Sequence, residues 1–267
     1  DGDLDLFFCS YGPQFAGNRD SRVFLNDGAG VFDELWPWAD PAADTKTQTQ
    51  DTDLADCDGD FDLDVLMSDR TPQARVYLNN LYGPLGTTPF KDITSVALLA
   101  TGSFQSGFSG YEVEYADLDA DLDFDVWMVN YNGNLERILR NDGPVAGGFQ
   151  FTRMNQWIQG DTSNGDGEID FGDFDNDDDL DAFVASWSVS ERIYQSSLSQ
   201  GLDPDTQGLY HRTGLATGQA PSPEMPVDSE FGYSLDGEWA DLDGDHDLDI
   251  LVVSGFNPGN ALLRNVL

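Results

Sequence analysis

The sequence predicts an all-β protein, a β-propeller of four-stranded antiparallel blades, and three observations lead to this prediction. One aspartate-rich pattern recurs along the chain at intervals of about sixty residues. Short apolar and alternating segments of strand length surround each copy. No convincing helical pattern lies between them. Four short strands in each repeat are typical of a propeller blade rather than of a solenoid or a helical array.

The repeated pattern places an aspartate at every second position of a nine-residue stretch. Four complete copies occupy residues 56–64, 117–125, 173–181 and 241–249. Their aspartates are Asp56, Asp58, Asp60, Asp62 and Asp64; Asp117, Asp119, Asp121, Asp123 and Asp125; Asp173, Asp175, Asp177, Asp179 and Asp181; Asp241, Asp243, Asp245, Asp247 and Asp249. A truncated copy opens the sequence with Asp1, Asp3 and Asp5, which align with the last three aspartates of the complete copies.

The segments around each copy predict four strands, A to D. Strand A comes directly before the aspartates, and strand B is the apolar run directly after them. Strand C is an alternating segment such as Arg22–Asn26, and strand D is a short apolar segment such as 149–151. Asn-Asp-Gly sequences at 26–28 and 141–143 predict hairpin turns after two of the C strands.

About five blades are visible in one predicted domain of residues 1–267. The predicted blades cover residues 1–47 (partial), 48–109, 110–165, 166–233 and 234–267 (partial). The first piece supplies strands B, C and D and the last supplies A, B and C, so the two pieces overlap instead of completing one blade. This overlap favours a segment of a larger propeller, of about seven or eight blades, over a closed five-bladed ring.

The composition excludes several classes of protein. Hydrophobic residues make up 39% and aromatic residues 12%, which is enough for a packed core, so the acidity does not indicate disorder. The formal net charge of −38 disfavours nucleic acids and anionic membrane surfaces as partners. A compact body with this charge repels itself unless cations neutralise part of it, which predicts bound metal.

Disulfides and membrane spans contribute little to the predicted fold. Cys9 and Cys57 are too few for a disulfide scaffold, and the repeat places them in different blades. A bridge between them is left open beside the alternative of two free thiols. No apolar run reaches membrane length, and no signal-like segment opens the sequence, which begins inside a repeat. Any export signal would lie upstream.

The aspartate spacing predicts a metal site in each complete copy. In a tight loop, carboxylates at positions 1, 3 and 5 can turn toward one centre, position 7 can offer its backbone carbonyl, and position 9 can return another carboxylate. Such a set of oxygens suits Ca²⁺, because Mg²⁺ demands a stricter octahedron and retains more water. The prediction is about four Ca²⁺ ions, with a solvated acidic face as the alternative. Asp1, Asp3 and Asp5 form a partial candidate.

Other calcium loops fit the sequence less well. An EF-hand requires a glutamate at loop position 12 and flanking helices, whereas position 12 here is Met67, Met128, Val184 or Val252 inside an apparent strand. Calcium β-rolls require tandem short repeats, and these copies stand far apart.

On these four loops, together with Phe171-Gly172 and Phe231-Gly232, the whole chain resembles the FG-GAP or VCBS repeat family. Members of that family form the calcium-binding propellers of integrin α subunits and of many bacterial surface proteins. The resemblance implies that Asp56, Asp58, Asp60 and Asp64 are ligands in the first loop, with the corresponding aspartates in the others. The Gly-Ala-Pro element of the family is absent from its expected place, and position 4 is glycine in only two copies, so the turns at Ala120 and Asn176 are expected to be strained.

The face opposite the aspartate loops is the predicted place for a partner. In an antiparallel blade the A–B and C–D loops share one face, and the B–C and D–A loops share the other. Four aromatic residues follow strand B on this second face: Tyr11, Tyr131, Trp187 and Phe256. Exposed aromatic residues on a rigid rim can anchor a protein or a glycan, although packing between blades explains them equally well.

The predicted function is a non-catalytic recognition, adhesion or scaffold module outside the cell or on its surface. Only His211 and His246 are present, and neither has a serine or cysteine partner at a recognisable spacing. Weak calcium sites also suit the high calcium concentration outside cells. The alternative is a module, catalytic or not, of a secreted polysaccharide lyase or other hydrolytic enzyme, since some of these resemble the same repeat family.

Overall fold

The computed structural model describes residues 2–11, 21–39, 48–70, 74–83, 88–98, 110–130, 135–160, 165–187, 191–212, 234–255 and 261–263. Within these residues the protein is all-β and forms five separate sheets, most of whose strand pairs are antiparallel. The prediction of an all-β protein of several antiparallel sheets is therefore confirmed. In the same residues, no helix is long and apolar enough to span a bilayer.

The strands follow the repeat. The first sheet contains β1 (Leu6–Phe8), β2 (Arg22–Asn26) and β3 (Phe32–Leu35). The second contains β4 (Thr49–Ala55), β5 (Asp64–Asp69), β6 (Arg75–Asn79) and β7 (Phe90–Asp92). The third contains β8 (Gly110–Ala116), β9 (Asp125–Asn130), β10 (Arg137–Val145) and β11 (Gly148–Arg153). The fourth contains β12 (Ile158–Gln159), β13 (Asp166–Gly172), β14 (Asp181–Ser186), β15 (Arg192–Ser196) and β16 (Tyr210–Arg212). The fifth contains β17 (Ser234–Ala240), β18 (Asp249–Ser254) and β19 (Ala261–Leu263).

Each complete aspartate copy connects two adjacent antiparallel strands of one sheet. The connected pairs are β4 with β5, β8 with β9, β13 with β14, and β17 with β18. The second strand of the first three pairs is buried along its whole length, as its apolar sequence predicts. Burial on both faces fixes these strands in place, so the loop before each of them ends at a fixed point.

Two features differ from the sequence prediction. The hairpin turn expected at 141–143 lies instead at 146–147, because β10 continues through Gly143 to Val145. Gly143 still has a left-handed φ of 79°, and its amide donates to the Asn141 side chain at 3.0 Å. The other difference is β12, which lies inside the predicted blade 110–165 but pairs in parallel with β16 of the following sheet.

Helical structure is confined to short connections. The described helices are α1 (Thr94–Ala97), α2 (Pro204–Gln207) and a 3₁₀ turn at Asn155–Trp157. Cys9 and Cys57 are both free thiols, and burial raises the pKa of the Cys57 thiol well above its usual range. Of the two alternatives left open for the cysteines, the structure contains the free thiols.

The chain divides into two compact units. Unit 1 comprises Asp1–Tyr115 and Asn141–Thr152, and unit 2 comprises Ala116–Arg140 and Arg153–Leu267. In unit 1, Trp38 is 1% exposed and packs edge-on against Tyr77 and Phe90. These ring contacts bury apolar surface and so contribute to the stability of the unit.

The core of unit 2 is also aromatic. Trp127 is fully buried and packs against Tyr194 and Tyr210 with ring centroids 5.6 and 4.9 Å away. A second cluster joins Phe174 and Phe183 to Trp239, which stacks on Phe174 at 5.8 Å. Phe174 occupies position 2 of an aspartate loop. That loop is therefore anchored directly in the core.

Candidate metal centres

Four short loops carry the candidate sites: loop 1 (56–64), loop 2 (117–125), loop 3 (173–181) and loop 4 (241–249). In each, the position 1 aspartate accepts backbone hydrogen bonds from the middle of its own loop. Asp56 accepts from the amides of Gly59, Asp60 and Phe61 at 2.8, 3.0 and 3.0 Å. This side chain replaces the peptide partners that the tight turn lacks. Its carboxylate is consequently fixed in position before any ion binds.

Two positions in each loop adopt left-handed backbone conformations. Position 4 has φ of 79° at Gly59, 59° at Ala120, 59° at Asn176 and 84° at Gly244. Position 6 has φ of 72°, 78°, 69° and 81° in the order Phe61, Leu122, Asp178 and His246. The expected strain at Ala120 and Asn176 is therefore present. The strain at position 6 was not expected, because the sequence there shows no glycine, and it is unfavourable for residues as large as Phe61 and Leu122.

Position 9 ties each loop to the sheet below it. Asp64, Asp125, Asp181 and Asp249 begin the strand after the loop and are almost completely buried. The carboxylate of Asp64 accepts from the amide of Cys57 at 3.2 Å and from the amide of Asn79 on β6 at 2.9 Å. Asp181 repeats this arrangement with Phe174 and with Ser196 on β15. Position 9 thus closes the loop and joins it to the third strand of the sheet.

These contacts bring carboxylates together in all four loops. The grouped oxygens lie within 4.8 Å of one another in the sets Asp56, Asp58 and Asp60; Asp117, Asp119 and Asp125; Asp173, Asp175 and Asp181; Asp241, Asp243 and Asp245. Each set contains positions 1 and 3, together with position 5 in loops 1 and 4 or position 9 in loops 2 and 3. Three carboxylate oxygens at this separation can hold a hard cation.

Buried oxygens without a hydrogen-bond donor mark loops 1 to 3. Each of these loops contains two such atoms, one at position 3 and one at position 7. They are the Oδ1 atoms of Asp58 and Asp62, of Asp119 and Asp123, and of Asp175 and Asp179. A buried charged oxygen without a partner is strongly unfavourable, so each pair requires a cation or a proton. Position 7, assigned a backbone role from the sequence, therefore also offers its side chain.

The pKa values of these carboxylates reflect the same crowding. Burial, followed by the charges of Asp60 and Asp58, raises the pKa of Asp62 to about 6. Burial and the charge of Asp121 raise the pKa of Asp123 to about 7. For Asp175 in loop 3, burial and the charge of Asp177 raise the pKa to about 6. Without a cation, the negative form of these carboxylates is disfavoured in loops 1 to 3.

Loop 3 is held by additional hydrogen bonds from residues outside the loop, whereas loop 4 is open to solvent. The amide of Ser199 donates to Asp179 at 2.7 Å, and the side chain of Gln195 donates to Asp175. The three grouped aspartates of loop 4 are all exposed. The same nine-residue pattern therefore gives the same turn in two different environments.

The truncated copy keeps one element of the arrangement. Asp5 accepts from the amide of Asn26 at 2.8 Å, as Asp64 does from Asn79 in loop 1. Asp3 and Asp5 are both exposed, and Asp1 lies outside the described residues. The structure therefore shows the strand anchor of a site here, without the buried oxygens of loops 1 to 3.

The aromatic residues predicted on the other face are described only in part. Tyr11 and Trp187 are half-buried, and Tyr131 and Phe256 lie outside the described residues. The hydroxyl of Tyr11 accepts a hydrogen bond from Arg70. The indole of Trp187 packs on Gly167, where a Cβ would lie 2.7 Å from its Nε1. Both described rings are therefore packed against the body of the protein on one side.

The structure also contains a buried group of charges that sequence reasoning missed. Arg192 contacts Glu136 at 2.7 Å and Asp166 at 2.6 Å, and all three side chains are fully buried. Trp127 donates its indole N–H to Glu136 at 2.9 Å. These residues are far apart in sequence and follow no spacing rule, so no pattern in the sequence indicates the group. Its complete burial gives it a structural role in unit 2.

Comparisons with known proteins identify no family. No family model matches the chain, and no curated protein matches it. Among solved structures, it is similar to BBS1N in a complex with ARL6DN soaked with lead, at 10% identity and a TM-score of 0.40, over 88% of this chain and 56% of that one. It is also similar to an Agrocybe aegerita lectin that recognises non-reducing terminal N-acetylglucosamine, at 17% identity and a TM-score of 0.49, over 98% of this chain and 66% of that one. The chain thus spans 56% and 66% of the lengths of these two proteins.

Proposed function

We propose that this chain is a calcium-binding β-propeller segment of the FG-GAP or VCBS type, acting as a non-catalytic recognition, adhesion or structural module outside the cell. In this proposal each ion binds at the turn between the first two strands of a blade. The ions neutralise the carboxylates, and the opposite face remains available for a protein or glycan partner. About four Ca²⁺ ions bind, one in each complete loop.

The six buried Oδ1 atoms without a donor are the observation that carries the proposal. Solvated acidic faces keep their carboxylates in water, whereas these oxygens are removed from it. They also recur at the same two positions of three separate loops. Desolvated carboxylates that repeat in this way favour a cation over an accidental charge cluster.

The ligand chemistry favours Ca²⁺ over other metals. All the grouped side chains are aspartates, and oxygen-only ligand sets suit Ca²⁺, Mg²⁺ or Mn²⁺ rather than zinc or copper. Several protein oxygens converge in each loop, and Ca²⁺ accepts more of them, in a less regular geometry, than Mg²⁺ does.

A non-catalytic role fits the positions of the two histidines. His246 projects from loop 4 with its side chain 94% exposed, and its Nδ1 lies 3.8 Å from Asp241. His211 lies on β16, where the strand pairs with β12 and β15. Neither position joins a nucleophile to an acid–base pair among the described residues.

Thermal unfolding followed by circular dichroism tests the proposal. We expect a β-type spectrum and a large rise in Tm on adding calcium to chelator-treated protein, with a smaller rise for magnesium. Each site held about a hundredfold above its Kd adds roughly 2.7 kcal/mol. Asp58→Ala should remove the share of the calcium-dependent stabilisation that comes from loop 1. Asp33→Asn on the exposed strand β3 is the matched control and should leave that stabilisation unchanged. Identical melting in calcium and in chelator would rule out structural metal sites.

A further inference from the structure

The strands that precede the aspartate loops carry a second repeated feature, which metal binding does not explain. We call β4, β8, β13 and β17 the leading strands. Each carries two carboxylates two residues apart: Asp51 and Asp53, Glu112 and Glu114, Glu168 and Asp170, Asp236 and Glu238. Alternate residues of a strand face the same side, so the two members of each pair project together.

In unit 1, the carboxylate pair of β4 binds the backbone of β8. The amide of Val113 donates to Asp51 at 3.1 Å, and the amide of Tyr115 donates to Asp53 at 2.8 Å. The two donors are again two residues apart, so the spacing of the carboxylates matches the spacing of the amides. The leading strand of one sheet is thereby fastened to the leading strand of the next.

In unit 2, the pair on β13 repeats this contact with β17. The amide of Gly237 donates to Glu168 at 2.9 Å, and the amide of Trp239 donates to Asp170 at 3.0 Å. The strands approach closely enough that a Cβ on Gly237 would lie 2.2 Å from Phe183. Each of these bonds satisfies a backbone amide and a half-buried carboxyl oxygen together, so each pair helps to determine which strands pack side by side.

The pair on β17 differs from the other three in exposure, because those on β4, β8 and β13 are half-buried. Asp51, Asp53, Glu168 and Asp170 are half-buried beneath the strand that they bind, whereas Asp236 and Glu238 are exposed. Glu238 is exposed two residues after Asp236 on the same strand. Asp236 also contacts the side chain of Glu168, so Glu238 is the more accessible of the two acceptors.

We propose that Asp236 and Glu238 form a docking surface for the leading strand of a further blade of the same repeat. The occupant is an extended strand that presents two backbone N–H groups two residues apart, with acidic and apolar residues alternating. The corresponding carboxylate pairs on β4 in unit 1 and on β13 in unit 2 are each covered by such a strand. The pair on β17 continues this series. This surface depends on backbone recognition, so it is independent of calcium and of any ligand on the aromatic face.

Peptide binding tests the proposal directly. The probe is a fluorescently labelled peptide with the sequence of residues 110–116, which contains the leading strand of the third sheet. We expect saturable binding by anisotropy, in calcium and at about 0.15 M salt, where repulsion between acidic molecules is screened. The same peptide methylated on the amide nitrogens of Val113 and Tyr115 lacks the two donors and should not bind.

Variants of the intact chain locate the binding surface. Asp236→Asn combined with Glu238→Gln should weaken the peptide complex at least about tenfold, since neutral acceptors form weaker bonds. Asp33→Asn combined with Glu34→Gln alters exposed carboxylates on β3 and should leave the affinity unchanged. No saturable binding, equal binding by the methylated peptide, or unchanged affinity in the β17 double variant would overturn the proposal. If the chain self-associates and the β17 double variant abolishes this self-association, the surface belongs to an interface with a second copy. That result would also overturn the proposal.

Discussion

Loops 2 and 4 have the same aspartate pattern but lie in different surroundings. In both, the position 1 carboxylate holds the turn, and positions 4 and 6 adopt left-handed conformations. Loop 2 buries one oxygen each of Asp119 and Asp123 without a donor, whereas Asp241, Asp243 and Asp245 of loop 4 are exposed. The local sequence therefore determines the shape of the turn, and the packing around it determines how strongly the turn requires a cation.

The difference predicts two classes of site. Carboxylates that are already desolvated and fixed bind a cation without a further ordering cost, and their interaction with it is screened less by water. Exposed carboxylates exchange one set of water contacts for another and gain less. Loops 1 to 3 should therefore hold calcium more tightly than loop 4.

Matched substitutions at position 3 should give the largest effect. Asp119→Ala should lower the calcium-dependent free energy of unfolding by roughly 2 to 3 kcal/mol, as expected for the loss of one site about a hundredfold above its Kd. Asp243→Ala should lower it by less than about 1 kcal/mol, because its loop is exposed and binds more weakly. Urea unfolding of both variants, in calcium and in chelator, measures the difference. Equal losses would remove the distinction between the two classes.

Acidification should weaken calcium binding at loops 1 to 3. The pKa of Asp123 is raised to about 7 and that of Asp62 to about 6, so calcium must displace protons as the pH falls from about 7 to about 5. In the ion-free chain these pKa values exceed their unfolded values, so its stability should increase over the same fall in pH. Weaker calcium binding and the more stable ion-free chain both reduce the difference between the Tm in calcium and the Tm in chelator. A constant gap across this range would show that these carboxylates are not the ligands.

The effect of a substitution at position 7 on stability should have opposite signs with and without calcium. Asp123→Asn removes a crowded negative charge, so it should stabilise the chelator-treated protein by about 1 kcal/mol. In calcium the same change removes a charged ligand and should be destabilising. Asp247→Asn is the matched change in loop 4, where the loop is more exposed, and both of its effects should be smaller. Melting curves of the two variants in calcium and in chelator provide the test. Destabilisation by Asp123→Asn in chelator would contradict the prediction.

A glycine at position 4 should relieve local strain by a small amount. Ala120→Gly should stabilise loop 2 by about 0.5 to 1 kcal/mol, because alanine is disfavoured at a φ of 59°. Gly59→Ala should cost loop 1 a similar amount, since a Cβ there meets no atom within 4 Å and only the backbone conformation is penalised. Chemical unfolding in saturating calcium resolves changes of this size. Opposite signs for the two variants support the account, and matching signs contradict it.

The repeat made most of the architecture predictable. Apolar runs after each aspartate copy correctly predicted β5, β9, β14 and β18, and the first three of these are buried along their whole length, which requires continuous apolar sequence. The Asn-Asp-Gly signal failed at 141–143, where the side chain of Asn141 supports a local irregularity and the strand continues to Val145. Whether a short turn signal forms a turn depends on the strands that flank it. A strand predicted from a repeat is supported by the same pattern in all the other copies.

The features that separate the loops could not be read from the sequence. The burial of Asp119 and Asp123, and the contacts of Gln195 and Ser199 with loop 3, depend on which elements pack together. The amide acceptors on the leading strands were hidden for the same reason. Asp53 lies between Thr52 and Leu54 like any strand carboxylate, and its role is visible only in the structure, where Tyr115 of another sheet lies beside it.

Isothermal titration of calcium into chelator-treated protein tests the central claim most directly. The account predicts about four ions in two classes, with about three tight sites and one weaker site. Asp243→Ala should remove only the weaker class, and Asp119→Ala should remove one tight site. Four equivalent sites would contradict the role assigned to burial, and the absence of any binding would contradict the metal sites themselves.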